Sequence, residues 1–419
     1  MPDNSAPAAS VRAAYAALVL LALANLINYA DRNALVSTTI ELRGPGFGLT
    51  DLDLGLIGGL YMAVHAFATL PLGWFGDRYD RRAVIAGGVL LASLASIAGA
   101  YTSGVVGLTA SRLLVGLGTA AVVPVANSLI GELFDGPKKA SSLTVFNLGL
   151  FLGGATGIVL GGAVGVSPTL LALGAIGVVA AIAIRALPVP GRRPGGVAGL
   201  TWPRFRAQTR ELVRVRTLRW LMASTTVMAF AAGGLGYWFV DFLKVDKGMS
   251  QDDATGLMAG ALVAGLAGII TGGRISDLIR RRRADGRLVV ITFAMAMTIP
   301  FAIACIYLPP GIPLYATSIL TMYFISWYHA PMAATVDDLA HDDRSATAQA
   351  LVIFLMHLLG TAPGQFVIGA LNTVLGRKGA MLVPTAMIAI AVGCMLRALP
   401  SFAADRDAAR GGDGKGAVL

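Results

Sequence analysis

A basic loop that occurs twice in this sequence constrains the fold more than any other feature. The first copy covers residues 73–82 and reads G-x-x-x-D-R-x-x-R-R, and the second, 200 residues later, keeps Gly273, Asp277, Arg281 and Arg282. Apolar stretches of about 20 residues, the length that spans a bilayer, flank both copies. Lys and Arg near the ends of spanning helices stay in the cytoplasm. The chain is therefore predicted to be a duplicated bundle of membrane-spanning helices, with one copy of this loop on the cytoplasmic face of each half.

The composition supports a membrane protein and argues against nucleic-acid binding. Of the 419 residues, 56% are apolar and 13% are charged, about half the charged fraction of a soluble domain. The net charge of +10 is spread over alternate loops and forms no continuous basic groove. The two cysteines, Cys305 and Cys394, lie inside apolar stretches. We expect them to be packing residues rather than a disulfide or part of a metal site.

We predict twelve spanning helices, six in each half of the chain. The loops between them alternate between arginine-rich and nearly uncharged, which predicts that both termini lie in the cytoplasm. Residues 1–10 lack the basic region and cleavage site of a signal peptide, so the first helix is expected to direct insertion. The predicted spans are residues 13–36, 54–75, 83–102, 105–131, 140–165, 168–188, 217–241, 253–275, 288–308, 314–337, 346–371 and 379–399.

The duplicated pattern divides the chain into five segments. They are a cytoplasmic N-terminal tail (1–12), an N-terminal six-helix bundle (13–188), a cytoplasmic linker (189–216), a C-terminal six-helix bundle (217–400) and a cytoplasmic C-terminal tail (401–419). We expect the linker to be a solvated connection lying against anionic lipid headgroups, and the tail beyond Ser401 to be disordered. Thr50 and Ser250, 200 residues apart, are both predicted to cap the helix that follows them.

Four stretches resemble a family of transporters. Residues 73–82 resemble the loop signature of the major facilitator superfamily. Residues 28–32 (N-Y-A-D-R) and 112–118 (R-L-L-V-G-L-G) resemble the first and fourth helices of Spinster-type lipid transporters, and residues 357–360 (H-L-L-G) resemble their eleventh helix. The sequence departs from the Spinster pattern at two positions, where threonine replaces an acidic residue: Thr119 and Thr361.

The resemblance implies an all-α membrane fold of two pseudo-symmetric six-helix halves, which transports substrate by rocker-switch alternating access. It also implies an amphipathic anionic substrate, such as a lysolipid or a sphingoid phosphate, whose head group binds Arg112. Residues 28–32 also resemble the first helix of organic anion:proton symporters, so a small organic anion or a drug is the alternative substrate. A membrane receptor or enzyme is a distant alternative, because the sequence has no P-loop, no G-x-S-x-G and no H-E-x-x-H.

Charged residues inside membrane spans are costly and mark functional sites. Asp31 in the first span and Arg112 in the fourth lie at depths that differ by about 3 Å, so we predict that they meet, with Arg32 nearby. The pair is either a static contact between helices or a switchable contact that faces the substrate cavity. If an anionic substrate takes Arg112, Asp31 loses its counter-charge and can take up a proton, which would couple substrate movement to proton movement. The predicted substrate and proton-coupling residues are Asn28, Asp31, Arg32, His65, Arg112, Thr119, His329 and His357.

The remaining candidate residues fall into three sets. No two histidines in the spans share a helix at metal-site spacing, so we expect no metal and no cofactor. The aromatic residues predicted to line the cavity, or to contact a neighbouring helix, are Tyr61, Tyr237, Trp327 and Tyr328. A cytoplasmic gate of interlocking ion pairs is predicted to comprise Asp77, Arg78, Arg81, Arg82, Glu132, Asp277, Arg281, Arg282, Asp337 and Asp338. The small-residue stripe of the fifth span, which is predicted to be a packing or a sliding face, is Gly149, Gly153, Gly157 and Gly161.

The sequence thus predicts a multi-pass membrane transporter that is not an enzyme, in a bacterial inner membrane and in monomeric form. Its predicted partners are a small-molecule or lipid substrate, protons and membrane lipids. No nucleic-acid partner is expected.

Overall fold

The computed structural model describes residues 10–134, 136–189, 202–340 and 345–411. Helix dominates these ranges, and no strand occurs in them. The first half contains α1 (Val11–Ala34), α2 (Thr39–Arg43), α3 (Asp51–Arg78), α4 (Arg81–Ala100), α5 (Gly104–Thr119), α6 (Val122–Leu133), α7 (Gly136–Val164) and α8 (Val166–Arg185). The second half contains α9 (Trp202–Leu212), α10 (Arg216–Val245), α11 (Gln251–Arg280), α12 (Gly286–Tyr307), α13 (Ile312–Ile325), α14 (His329–Leu339), α15 (Ser345–Leu355), α16 (Ala362–Ala398) and α17 (Phe402–Gly411).

Ten stretches in the described part of the chain are long and apolar enough to cross a membrane. The predicted tenth span is instead two shorter helices, α13 and α14, separated by residues 326–328. The predicted eleventh and twelfth spans lie in one 63-residue stretch, Thr347–Ala409, which is interrupted at Gly376, where the backbone is not helical (φ 66°). The all-α membrane fold is confirmed. The predicted fourth span is likewise two helices, α5 and α6, separated by residues 120–121, and the count of twelve spans stays a prediction.

The chain forms two compact units. The first contains Met1–Leu200 with Gln251–Ala259, and the second contains Thr201–Ser250 with Gly260–Leu419, so α11 contributes to both. In the first unit α1 lies along α7 and α8, and α4 lies between α5 and α8. In the second unit α10 lies along α16, and α12 contacts α13 and α16. Each unit has its own core of buried side chains, mostly aliphatic.

Close contact between α1 and α7 explains the glycine stripe of the fifth span. The four glycines face α1, and a Cβ atom at Gly157 would overlap the carbonyl oxygen of Ala30. The small residues therefore let the two backbones approach more closely than any larger side chain would allow. The stripe is a packing face in this structure.

The turns before the second and eighth predicted spans repeat the same local chemistry. Gly48 and Gly248 have φ values of 64° and 66°, a left-handed conformation that glycine adopts without steric cost. Thr50 then accepts a hydrogen bond from the Asp53 backbone, and the Asp53 carboxylate accepts one in return, which forms a capping box. The predicted cap at Thr50 is confirmed.

The expectation of disorder beyond Ser401 is wrong for the described residues 402–411, which form α17. Phe402 is 1% exposed, and the Asp405 carboxylate accepts a hydrogen bond from the backbone N–H of Thr217 (2.7 Å). That N–H belongs to the first turn of α10, where backbone donors have no partner within the helix. The helix is therefore held by tertiary contacts that its polar composition does not reveal.

Candidate functional site

The two ionised side chains predicted to meet do so inside the first unit. Arg112 Nη1 on α5 lies 3.0 Å from Asp31 Oδ2 on α1, and the two side chains are 3% and 7% exposed. Ser96 on α4 donates a hydrogen bond to the other carboxylate oxygen. The predicted contact between Asp31 and Arg112 is confirmed. The carboxylate thus has an arginine and a hydroxyl as partners, and removal of Arg112 alone would leave an uncompensated buried charge.

Small residues on α4 and α5 make this contact possible. Ser111 donates to the carbonyl of Ala95 (2.7 Å), and a Cβ atom at Gly99 would overlap the Ser111 hydroxyl. Gly118 likewise faces the backbone of Gly88 with no room for a side chain. Because α4 and α5 lie so close together, the guanidinium of Arg112 on α5 reaches the carboxylate of Asp31 on α1.

A small cavity adjoins Asp31. Its volume of about 20 Å³ is sufficient for one water molecule. Polar groups of Asn28, Ser93 and Thr119 contribute to its walls together with apolar side chains of α1, α4, α6 and α8. The walls of this cavity are mostly apolar, and both Asp31 and Thr119 contribute to them.

The hydroxyl of Thr119 joins two further candidate residues on α3. Its oxygen lies 3.3 Å from the Tyr61 hydroxyl and 3.2 Å from Nδ1 of His65. The predicted site residues of the first unit thus include two hydrogen-bonded groups, one around Thr119 and one around Asp31. Arg32 does not pair with a carboxylate in this region. Its guanidinium lies over the rings of Tyr29 and Tyr61, 5.8 and 6.0 Å from their centroids.

We expect Thr119→Val to destabilise the protein by about 1–3 kcal/mol, because Tyr61 and His65 lose their shared hydrogen-bonding partner in a buried region. Thr119→Ser keeps the hydroxyl and is the matched control, which should unfold near the wild-type temperature. Thermal unfolding in detergent measures both variants. Equal midpoints for the valine and serine variants would show that the hydroxyl contributes nothing.

The second unit contains the other histidine and aromatic candidates. His329 stacks on Tyr328, with ring centroids 4.2 Å apart, and Trp327 belongs to an aromatic cluster on α12 and α13. Tyr237 contacts the ring of Trp238 at 5.4 Å. These contacts correspond to the alternative interpretation in which the aromatic residues contact their neighbours.

His357 lies in a π-helical turn, Met356–Thr361, between α15 and α16. Such a turn inserts an extra residue into a helix and is frequent at functional sites. The turn ends directly before Ala362 and Pro363, whose ring cannot donate the backbone hydrogen bond of a regular helix. The structure thus gives His357 a distorted backbone, while its role remains a prediction.

No group of three or more His, Cys, Asp or Glu side chains suited to a metal ion occurs in residues that the structure describes.

Two of the predicted gate residues form an ion pair in the first unit. Arg81 Nη1 lies 2.7 Å from Glu132 Oε1, and both side chains are largely buried. Arg78 lies over the ring of Trp74, 5.4 Å from its centroid. The side chain of Asp77 lies outside the described part of the chain.

Arg82 binds an acidic residue, Asp80, that is not among the predicted gate residues. It forms a two-pronged contact with Asp80 and donates to the carbonyl of Leu187 (2.8 Å), which ties the loop after α3 to the end of α8. The hydrogen bonds from Arg82 lower the pKa of the Asp80 carboxyl below its ordinary value. Because the pKa is lower in the folded state than in the unfolded state, the contact stabilises this loop above the ordinary carboxyl pKa. That stability is lost as the pH falls through the lowered pKa.

The second unit uses other arginines than the sequence suggested. Asp338 binds Arg287 (2.6 Å) and Arg280 (3.0 Å), and Arg287 also binds Asp277 (3.2 Å). Asp337 accepts a hydrogen bond from Gln349 (2.9 Å). These contacts join the end of α11, the start of α12 and α14.

The predicted gate residues Arg281 and Arg282 are exposed and form no ion pair among the residues described. Their predicted contribution to the gate is therefore not seen in this structure. Arg280 and Arg287, which the sequence did not single out, bind the acidic residues instead. The helix α11 ends at Arg280, so Arg281 and Arg282 lie in the turn that follows it. A sequence pattern places the end of a helix only to within one or two residues, so it could not show which of these arginines faces α14.

A further pair of contacts was missed and repeats between the halves. The Glu41 carboxylate accepts a hydrogen bond from the backbone N–H of Val166 (2.9 Å), at the start of α8. In the second unit Asp241, 200 residues after Glu41, binds Arg377 (2.8 Å) just after the Gly376 kink. In each half a carboxylate near the end of the first span contacts a residue near the start of the last span. Their identical offset of 200 residues is the signal that could have revealed them.

Comparison with known proteins agrees with this geometry. The family model of the Major Facilitator Superfamily matches residues 21–360, well over half of the chain. Protein spinster homolog 3 of Danio rerio is 28% identical over 397 residues, which cover 88% of this chain and 78% of that protein. The sphingosine-1-phosphate transporter SPNS2 of Mus musculus is 27% identical over 403 residues, which cover 84% of this chain and 69% of that protein.

The crystal structure of a bacterial homologue of the human lysosomal transporter Spinster, in an inward-facing and occupied conformation, has the same fold. The TM-score is 0.84 at 18% identity, with 95% of this chain and 99% of that chain covered. The duplicated loop, the all-helical spans and the family match lead to one conclusion. The chain belongs to the Major Facilitator Superfamily, in which it is a transporter that resembles the Spinster proteins and not an enzyme.

Proposed function

We propose that this transporter is a proton-coupled secondary carrier for an amphipathic anionic lipid, of the lysolipid or sphingoid-phosphate class. The observation that carries the proposal is the buried contact of Arg112 with Asp31 and Ser96. An arginine in a bilayer span binds a phosphate or carboxylate strongly and in a defined geometry. Here that arginine already has an internal carboxylate that a substrate anion can displace.

The proposed coupling follows from competition for Arg112. When the anionic head group takes the guanidinium, the Asp31 carboxylate is left with Ser96 and no counter-charge. A buried carboxylate in that state takes up a proton, because the neutral form costs less in a medium of low dielectric constant. When the substrate leaves, Arg112 returns to Asp31 and the proton is released. The water-sized cavity at Asn28 and Ser93 provides a route for the proton.

Relatives that include sphingosine-1-phosphate transporters support a lipid substrate. A small organic anion is the second candidate, because residues 28–32 resemble the first helix of organic anion:proton symporters.

We further propose that both termini are cytoplasmic and that the protein is a monomer in a bacterial inner membrane. We also propose that the ion pairs of Arg81 and Arg287 belong to the cytoplasmic gate of the two halves.

Uptake into liposomes tests the coupling. We expect wild-type uptake of a labelled lysophospholipid to depend on a proton gradient, and Asp31→Asn to lose that dependence while still exchanging substrate down its own gradient. Asp241→Asn, which neutralises a buried acid paired with Arg377, is the matched control and should keep the dependence. Proton dependence that is unchanged in Asp31→Asn would remove Asp31 from the proposed role.

A thermal-shift screen distinguishes the two substrate classes. Lysophospholipids should raise the unfolding midpoint of the wild-type protein more than small carboxylates do. The uncharged double variant Asp31→Asn/Arg112→Gln should respond to neither class.

A further inference from the structure

The linker between the two halves contains a helix with two distinct faces. One face of α9 is buried against α15: Gln208 is 6% exposed and accepts a hydrogen bond from the Thr347 hydroxyl (2.6 Å), and Leu212 is 3% exposed. The solvated linker predicted from composition is therefore, over residues 202–212, a helix docked on the second unit.

The other face of α9 carries arginines without partners. Arg206, Arg210 and Arg214 are all exposed, and none forms an ion pair or hydrogen bond with its side chain in the described part of the chain. Residues four apart lie on the same side of a helix, so Arg206 and Arg210 form a single basic surface that Arg214 extends in the turn after α9. We call these three residues the arginine face.

The arginine face adjoins the N-terminal end of α10, a helix long and apolar enough to span a membrane. Residues 213–215 alone separate α9 from α10, a spanning helix. In the second turn of α10 the ring of Trp220 lies under the guanidinium of Arg397 (5.2 Å), a combination typical of the bilayer interface. Arg216 and Arg219 are also exposed here and add to the charge.

We propose that the arginine face of α9 binds anionic lipid headgroups. This contact stabilises the cytoplasmic end of α15, the helix that leads into the turn containing His357. The argument rests on charge complementarity, because anionic headgroups attract each juxtamembrane arginine, and none of these three forms an ion pair within the described ranges of the chain. It also rests on the cytoplasmic orientation included in the proposed function.

The buried contact between Gln208 and Thr347 transmits this effect. Thr347 lies in the first turn of α15, and α15 continues into the π-helical turn that contains His357. Gln349, two residues further, donates to the carbonyl of Ala333 on α14 (2.7 Å). A lipid that fixes α9 therefore fixes α15 and, through it, α14.

Thermal unfolding in bilayer nanodiscs, without any substrate, tests the proposal independently of transport. The nanodiscs contain phosphatidylcholine alone or equal amounts of phosphatidylcholine and phosphatidylglycerol. We expect phosphatidylglycerol to raise the unfolding midpoint of the wild-type protein by several degrees, because anionic headgroups attract the juxtamembrane arginines. The triple variant R206Q/R210Q/R214Q should lose most of this rise, and R206K/R210K/R214K should keep it.

Two further variants separate lipid binding by the arginine face from the stabilisation of α15 through the contact between Gln208 and Thr347. R281Q/R282Q removes two exposed arginines that follow α11 and should lose less of the rise than the triple glutamine variant; an equal loss would show a general attraction of cytoplasmic arginines and overturn the proposal. Gln208→Leu retains the arginine face but breaks the contact with Thr347, and it should reduce the rise. The proposal is overturned if phosphatidylglycerol does not stabilise the wild-type protein, if the triple glutamine variant gains as much as the wild type, or if soluble inorganic phosphate gives the same stabilisation. Loss of lysolipid transport with an intact lipid effect would count against the proposed function alone.

Discussion

Replacement of Arg112 by alanine should lower the unfolding midpoint of the protein by on the order of 10 °C. The substitution removes the cation that pairs with the buried Asp31 carboxylate and leaves the Ser96 hydroxyl as its partner among the residues that the structure describes. An uncompensated buried charge costs about 3–5 kcal/mol, and for a domain of this size 1 kcal/mol corresponds to about 2–4 °C. Transport should be lost as well, because no guanidinium remains to bind the substrate anion.

The control is a double-mutant cycle with Asp31→Asn. The double variant Asp31→Asn/Arg112→Ala has no uncompensated carboxylate and should be more stable than Arg112→Ala alone. Thermal unfolding of the four proteins in one detergent gives the coupling energy. An Arg112→Ala protein as stable as the wild type would mean that the contact contributes little to the fold.

Replacement of Gly157 by valine should prevent close contact between α1 and α7 and lower the yield of folded protein severely. The Cβ atom would overlap the carbonyl oxygen of Ala30, which is backbone and cannot rotate away. Overpacking in a well-packed interior costs about 1–3 kcal/mol or more, and here it also displaces the helix that carries Asp31. Size-exclusion chromatography and thermal unfolding of the purified variant measure the effect.

Gly87→Val is the matched control in the same unit. Gly87 also lies within a spanning helix, but no atom lies within 4 Å of a Cβ atom built there. Both substitutions replace glycine by valine. They differ in the space next to the Cβ atom, which is filled by Ala30 at position 157 and open at position 87. If both variants have the same yield and midpoint, the close contact between α1 and α7 is not required for folding.

The features that followed from sequence are those that depend on helix geometry and topology. Asp31 and Arg112 were predicted to meet because helix rise and the alternating direction of the spans fix their depths. The glycine stripe and the cap at Thr50 are likewise local patterns, and the structure contains both.

Features that depend on tertiary contacts were missed. Ser96 is an ordinary serine in an apolar helix, and only the close approach of α4 and α5 brings its hydroxyl to Asp31. The tail beyond Ser401 was expected to be disordered because its composition is polar. Composition does not show that Phe402 is buried against the second unit. The choice of Arg287 rather than Arg281 as a partner depends on how far α11 and α12 extend, which sequence patterns do not fix.

The competition between a substrate anion and Asp31 for Arg112 is the central claim, and proton uptake on binding measures it most directly. Lysophosphatidic acid is added to the detergent-purified protein in a weakly buffered solution while the pH is recorded. The wild-type protein should take up about one proton per bound ligand more than Asp31→Asn does, since only the wild type has the carboxylate that loses its counter-charge. The phosphate of the ligand can also exchange a proton on binding, and that contribution is common to both proteins. Equal proton uptake by Asp31→Asn and the wild type would contradict the mechanism.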